Sequence, residues 1–221
     1  MNLKNHLFIQ PWSVLLKAFL VLSVLFFSFK TYAQNTINKA ISAKDISEIV
    51  VDGNQIFNIE VEARPSKEII INSLTDGEYQ NEYKIHSEIK DGQLFIKLQK
   101  TPLYNIPDDK RNAHKVVAAT LKVVMPEGLN IAIKSDIGSV NALGKFKTIS
   151  IELLQGSVNV IGFAERAMIN TFDGNICVTT ENATIEAVSN NGKITVPKER
   201  FKNAYWILKS IDGDIKVVKP N

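Results

Sequence analysis

The sequence predicts an all-β protein: a single-stranded β-solenoid with coils of about 18 residues, preceded by an irregular N-terminal β lead-in. Three observations support this fold class. Glycines recur at a nearly fixed interval in the second half, apolar residues keep phase with them, and polar residues alternate with the apolar ones. Alternation with period two is typical of strands that bury one face.

Residues 1–33 predict a secretory signal peptide. Lys4 and Lys17 form a basic lead, the apolar run 18–29 follows, and a small-x-small sequence, TYA, ends at Ala33. The run is shorter than the roughly 20 residues of a spanning helix, so we expect cleavage after Ala33. An uncleaved anchor is the alternative. No cysteine follows the cleavage site, so a lipid anchor is not predicted, and no later apolar run is long enough to span a bilayer.

The expected mature chain, 221 − 33 = 188 residues, is long enough for one domain with a sizeable core. The net charge of +3 comes from three leader lysines, Lys4, Lys17 and Lys30, and leaves 23 basic and 23 acidic residues in the mature chain. A balanced charge offers no electrostatic basis for binding nucleic acid.

Five glycines mark the predicted coil corners at steps of 18, 18, 18 and 21 residues: Gly138, Gly156, Gly174, Gly192 and Gly213. Positions two and four residues after each glycine, and five and seven residues before it, are apolar in every coil. Independent hairpins have no reason to keep one spacing, whereas stacked coils do. We therefore interpret the stretch TFDGNICV, residues 171–178, as a corner between two strands and not as an isolated hairpin.

The longer last step is accommodated by the polar stretch 197–205, because insertions into outer loops cost little. Trp206 then stands where earlier coils have Ile or Ala. A solenoid must close its exposed end. We predict that Trp206, with Phe201 and Tyr205, caps the last coil.

Residues 34–128 predict irregular, partly antiparallel strands before the regular coils of residues 129–221. Asp-Gly pairs separate apolar runs at residues 52–53, 76–77 and 91–92. A loop with two prolines follows at residues 101–115, and a buried strand is predicted at residues 116–126. The loop holds a possible recognition cluster, although a solvated loop is the simpler interpretation: Asp108, Asp109, Lys110, Arg111 and His114.

No metal, cofactor or catalytic site is predicted. Asp173, Asp212 and Asp214 stand at corners, but the glycine-rich nonapeptide of calcium-binding solenoids is missing, which favours turn-forming roles. The outward columns on either side of the corners hold no carboxylate pair for general acid–base chemistry. A carbohydrate-active enzyme on a β-helix scaffold is nevertheless the alternative to a binding protein.

Cys177 is the one cysteine of the chain, so no internal disulfide can form. The alternation places its thiol on the outside of a coil. There it could join two chains or stay inert beside its neighbours, and the sequence leaves both open.

The corner sequences SDIGSV, INTFDGNICVTT, VSNNGKITV and LKSIDGDIKV resemble those of the bacterial putative-adhesin domain family of exported β-solenoids. The resemblance covers about residues 46–218 and offers no catalytic residues to carry over. It implies an envelope or surface protein of a bacterium. We therefore expect an exported, non-enzymatic, adhesin-like binding or structural module, located in the periplasm, at the cell surface or outside the cell. Its expected partner is a glycan or an envelope protein.

Overall fold

The computed structural model describes residues 35–76, 83–101, 118–197 and 204–220. Within these ranges the chain is all-β, without a helix, and its 15 strands form one mixed sheet. The described ranges therefore contain no helix that could cross a membrane. The predicted signal peptide, Phe201 and the recognition cluster Asp108, Asp109, Lys110, Arg111 and His114 lie outside the described residues.

In chain order the strands are β1 (Asn35–Ser42), β2 (Glu48–Asp52), β3 (Ile56–Arg64), β4 (Glu68–Asp76), β5 (Tyr83–Lys90), β6 (Gln93–Lys100), β7 (Ala118–Pro126), β8 (Asn130–Ile137), β9 (Ser139–Gln155), β10 (Val158–Asp173), β11 (Ile176–Thr179), β12 (Ala183–Ser189), β13 (Ile194–Thr195), β14 (Ala204–Asp212) and β15 (Ile215–Val218).

The sheet consists of two runs of strands whose buried side chains belong to one hydrophobic core. Run A has the order β5, β6, β2, β8, second half of β9, second half of β10, β14, β12. Run B has the order β1, β4, β7, β3, first half of β9, first half of β10, β11, β15, β13. The long strands β9 and β10 contribute to both runs and so join them into one sheet.

Parallel pairing between β8, β9, β10 and β11 joins residues that are 18 positions apart. Val158 lies beside Val140 on one side and Ile176 on the other. Ile176 therefore pairs with neighbouring parallel strands and not across the turn that precedes it. The prediction that TFDGNICV is not an isolated hairpin is confirmed.

The apolar columns form ladders of buried side chains across these registers. In run A, Ile131, Ile149 and Ala167 are successive neighbours, and none is more than 4% exposed. Full burial of a branched aliphatic side chain contributes about 1.5–3 kcal/mol relative to exposure. The core thus extends along the stacking direction. In each strand, the alternation of apolar and polar residues decides which side chains belong to it.

The last strands in the sequence are not the last in space. Strand β14 lies between β10 and β12, and β15 lies between β11 and β13. Trp206 is accordingly flanked by Ala167 and Ile185, is fully buried, and donates from Nε1 to the carbonyl oxygen of Ala164 at 2.9 Å. The prediction that Trp206 caps the last coil is wrong. Its ring fills the core one position inside the end, while Tyr205 is exposed.

The same exchange of neighbours occurs near the N-terminus. Strand β2 lies between β6 and β8, and β3 lies between β7 and β9. Strands β4, β1 and β5 pair antiparallel at this end, so the predicted partly antiparallel arrangement is confirmed. Asp91 and Gly92, both with positive φ, form the two-residue turn between β5 and β6. The first half of the described chain therefore shares its core with the second half.

The five corner glycines stack directly on one another. A Cβ added to Gly156 would overlap the carbonyl oxygen of Gly138, and the same overlap would occur between Gly174 and Gly156. Gly213 and Gly192 continue this stack in that spatial order. Close approach of neighbouring strands therefore requires glycine here. A second stack, at Gly144 and Gly162, was not predicted.

Candidate functional site

Hydroxyl side chains at the corners donate hydrogen bonds to backbone carbonyl oxygens and hold the corners in place. The hydroxyl of Ser135 donates to the carbonyl oxygen of Gly53, and that of Thr171 donates to the carbonyl oxygen of Gly174, both at 2.8 Å. The hydroxyl of Ser189 donates to the carbonyl oxygen of Gly213 at 2.8 Å. These residues stand three positions before the corner glycines, where four of five coils have Ser or Thr. A hydroxyl-bearing residue recurs at this position of the repeat, but the sequence alone did not lead us to predict its role at the corners.

The corner aspartates also bind groups of the protein itself. A carboxylate oxygen of Asp214 accepts a hydrogen bond from the backbone N–H of Lys193 at 2.7 Å. A carboxylate oxygen of Asp212 accepts one from the side-chain amide of Asn191 at 2.6 Å. Within the described ranges, no group of three or more His, Cys, Asp or Glu side chains is arranged to hold a metal ion. These contacts fit the turn-forming role expected from the sequence.

The outer face of run B combines an amide column with an apolar column. Asn141 and Asn159 are direct neighbours on β9 and β10, and Cys177 follows them on β11. Two residues further along the same strands, Leu143 lies beside Ile161. Both apolar side chains point outward, with 51% and 43% of their surface exposed.

A furrow runs over the apolar column of run B. It consists of two adjoining hollows of about 180 and 300 Å³, which share Leu143 and Ile161 as their floor. Gly144 and Gly162 line the second hollow, and because they lack side chains the backbone is accessible there. We call this feature the furrow. Its further walls are Glu60, Val61, Glu62, Lys122, Asn141, Ala142, Asn159, Glu127, Lys145, Phe163, Thr179, Glu181 and Pro220.

The charges around the furrow are unequally paired. Glu62 contacts the ammonium of Lys122 at 3.3 Å and the guanidinium of Arg64 at 3.7 Å. Within the described ranges no ion pair involves the other three glutamates of the walls, so three carboxylates face one unpaired lysine: Glu60, Glu127 and Glu181 against Lys145. The furrow therefore has an acidic rim around an apolar floor.

Other sequence-selected residues lie elsewhere. The corner glycines form the backbone stack and Trp206 lies in the core, so neither belongs to the furrow. Cys177 is exposed in a separate hollow of about 460 Å³ that Lys193 and Lys216 also line. The furrow was not predicted because the column of Leu143 and Ile161 was not considered among the outward columns.

The outer face of run A also carries exposed apolar residues. Leu154 on β9 and Phe172 on β10 are 51% and 49% exposed, and they stand two positions before the corner glycines. The neighbouring outward column holds charged groups, such as Lys134 and Glu152, whose ammonium nitrogen and carboxylate oxygen are 4.0 Å apart. Leu143 and Leu154 therefore have equal exposure on the outer faces of run B and run A, in the two halves of β9.

No protein-family model matches the chain, and no curated protein matches it. Solved structures do. A putative cell adhesion protein from Clostridium sporogenes is 14% identical with a TM-score of 0.62, over 85% of this chain and 100% of that one. A putative adhesin from Bacteroides fragilis is 13% identical with a TM-score of 0.38, over 84% and 98%. A putative lipid binding protein from Parabacteroides distasonis is 15% identical with a TM-score of 0.25, over 85% and 97%. The first comparison shows a shared fold.

Proposed function

We propose that this protein is an exported, non-enzymatic, adhesin-like binding module of the bacterial cell envelope. The observation that carries the proposal is the furrow, an outward apolar floor with amide and carboxylate walls on a stack of parallel strands. Contiguous exposed apolar side chains rimmed by polar groups are a feature of interaction sites and ligand-binding grooves. The fold shared with a protein named as a putative cell adhesion protein supports the same class of role.

The scaffold in this proposal is a β-solenoid. Three features support it: registers of 18 residues, stacked corner glycines, and apolar ladders that continue from β2 to β12. Such a scaffold is extended and regular, so it presents equivalent outward positions about every 4.8 Å. A surface of this kind suits an elongated partner, such as a glycan or an extended segment of an envelope protein.

Export is the part of the proposal that rests on the sequence of residues 1–33. Protease treatment of intact cells, followed by an immunoblot for this protein, tests the location. Digestion on intact cells is expected for a surface protein, and digestion only after lysis of the envelope is expected for a periplasmic one. Recovery of the protein in the cytoplasmic fraction would contradict export.

Binding through the furrow is tested by cosedimentation with isolated cell envelopes. The protein is purified from cells that express the full chain, and its L143A/I161A variant is expected to bind about tenfold more weakly, because two exposed apolar anchors are removed. The matched control is L154A/M168A, which removes side chains of similar exposure on run A. Equal loss in both variants, or no binding by the unaltered protein, would contradict the proposal.

The absence of enzymatic activity has its own test. The purified protein is incubated with acidic polysaccharides, with and without calcium. We expect no new reducing ends and no absorbance from unsaturated products. Either product would replace the binding module with a carbohydrate-active enzyme, the alternative class.

A further inference from the structure

We infer that the furrow binds a linear glycan that carries free amino groups. The inference rests on the proposed binding function and adds the chemical class of the ligand. Three properties of the furrow lead to it: the apolar floor, the row of amides beside that floor, and the acidic rim.

The floor fits the apolar faces of sugar rings. Leu143 and Ile161 lie side by side on neighbouring strands, and about half of each side chain is exposed. Phe163 adds a partly buried aromatic ring to the second hollow. The C–H groups of a pyranose ring are apolar, so a sugar laid on this floor removes apolar surface of both partners from water.

The amide row supplies hydrogen-bonding groups in register with the floor. Asn141 donates from Nδ2 to Oδ1 of Asn58 at 3.3 Å, while the side chain of Asn159 has no hydrogen-bond partner within the described ranges. A planar amide offers two donors and one acceptor carbonyl, which match adjacent sugar hydroxyls. Because neighbouring strands are about 4.8 Å apart, a polymer that runs along the stack meets an amide and an apolar side chain on each of β9 and β10.

The acidic rim decides between classes of glycan. Glu60, Glu127 and Glu181 have no ion pair within the described ranges, and Lys145 is the one unpaired cation among the walls. A polymer of uronic acids would bring further carboxylates to this rim and would be repelled. A polymer with free amino groups brings ammonium groups, which these carboxylates attract and to which they can accept hydrogen bonds.

Calorimetric titration of the purified full-chain product with three hexasaccharides tests the ligand class. The probes are a glucosamine hexamer, the N-acetylglucosamine hexamer and a galacturonate hexamer. We expect the amino form to bind, the N-acetyl form to bind at least fivefold more weakly, and the acid form not to bind. Binding of the amino form should weaken as salt rises, because the rim is exposed.

One pair of single variants and one double variant locate the binding. N159A is expected to weaken the amino hexamer about fivefold, whereas N170A, on the same strand but in run A, is expected to change nothing. Oδ1 of Asn170 has no hydrogen-bond partner among the residues that the structure describes, so this truncation removes no such bond of that atom. The change E127Q/E181Q is expected to reduce the preference for the amino form over the N-acetyl form.

Hexalysine serves as the competitor of another class. If it binds as tightly as the amino hexamer, the furrow responds to positive charge alone and the glycan inference is wrong. Equal binding of the amino and N-acetyl forms would also overturn it. If no hexasaccharide binds while Leu143-dependent cosedimentation with envelopes persists, the ligand class fails and the proposed function stands. Loss of both would refute the proposed function itself.

Discussion

Replacement of Gly156 by alanine tests whether contact between neighbouring strands is what requires glycine at the corners. Gly156 has a φ of +130°, a conformation that costs an L-residue about 1–3 kcal/mol. Its new Cβ would also overlap the carbonyl oxygen of Gly138 and would lie 2.6 Å from the carbonyl carbon of that residue. Neither group is a flexible side chain, so β9 and β10 would have to separate at this corner.

The separation disturbs hydrogen bonds that join the neighbouring corners. The N–H of Gly138 donates to the carbonyl oxygen of Gln155 at 3.0 Å, and the N–H of Val140 donates to that of Ser157 at 3.0 Å. Backbone shifts forced by overpacking cost about 1–3 kcal/mol. With the conformational cost added, G156A should lower the free energy of unfolding by about 2–6 kcal/mol, out of a typical total of about 5–15 kcal/mol.

Gly128 provides the matched control. Its φ is +77°, but an added Cβ would meet nothing within 4 Å, so G128A carries only a conformational cost of about 1–2 kcal/mol. Urea unfolding of both variants measures the two free energies. If G156A is within about 0.5 kcal/mol of G128A, which is near the limit of such measurements, contact with the Gly138 carbonyl does not restrict this corner and the reasoning is refuted.

Three further changes probe the core, a corner and the terminal strands. W206A should lower the free energy of unfolding by about 3–5 kcal/mol in urea, because the ring is fully buried. T171V should lower it by about 1–3 kcal/mol, because valine keeps the shape but leaves the Gly174 carbonyl without this donor. E186Q should lower the pKa of Tyr205, measured from phenolate absorbance, since the hydrogen bond to the Glu186 carboxylate is the main cause of its elevation above 10.0. A raised phenol pKa favours the protonated form in the fold, so this contribution to stability is full below pH about 10 and is lost as pH rises through the folded pKa.

For each of these three changes, one result would contradict the expected effect. A cost below about 1 kcal/mol for W206A would mean that the indole is not packed in the core. An unchanged free energy of unfolding for T171V would show that the Ser210 hydroxyl, which donates to the same Gly174 carbonyl at 3.2 Å, replaces the lost donor. An unchanged phenol pKa in E186Q would exclude Glu186 as the cause.

Alternation was sufficient to predict which side chains of the regular strands face the core. Val140, Val158 and Ile176 were expected inside and are buried. Alternation was not sufficient for the corners. The hydroxyl groups of Ser135 and Thr171 recur there, but their role is visible only from the carbonyl oxygen that accepts each hydrogen bond. For Ser135 that carbonyl belongs to Gly53, 82 positions away in the chain, so the local sequence does not indicate the contact.

The furrow illustrates a second limit of sequence reasoning. Leu143 and Ile161 are ordinary outward positions in their own strands, and single exposed apolar residues need no explanation. They become a surface because register places them side by side, and because Glu127 and Glu181 approach from other segments. The candidate site is therefore a property of the stacking and not of any one repeat.

The sequence by itself determined the inward and outward positions of the regular strands, because a strand's side chains alternate with a period of two whatever its neighbours are. It also determined where glycine marks the corners. Only the tertiary structure decided which strands are neighbours, with β14 inserted between β10 and β12 and β2 inserted between β6 and β8. The physical reason is that every segment offers nearly the same apolar columns. The alternation within one strand therefore does not specify which other strand lies beside it.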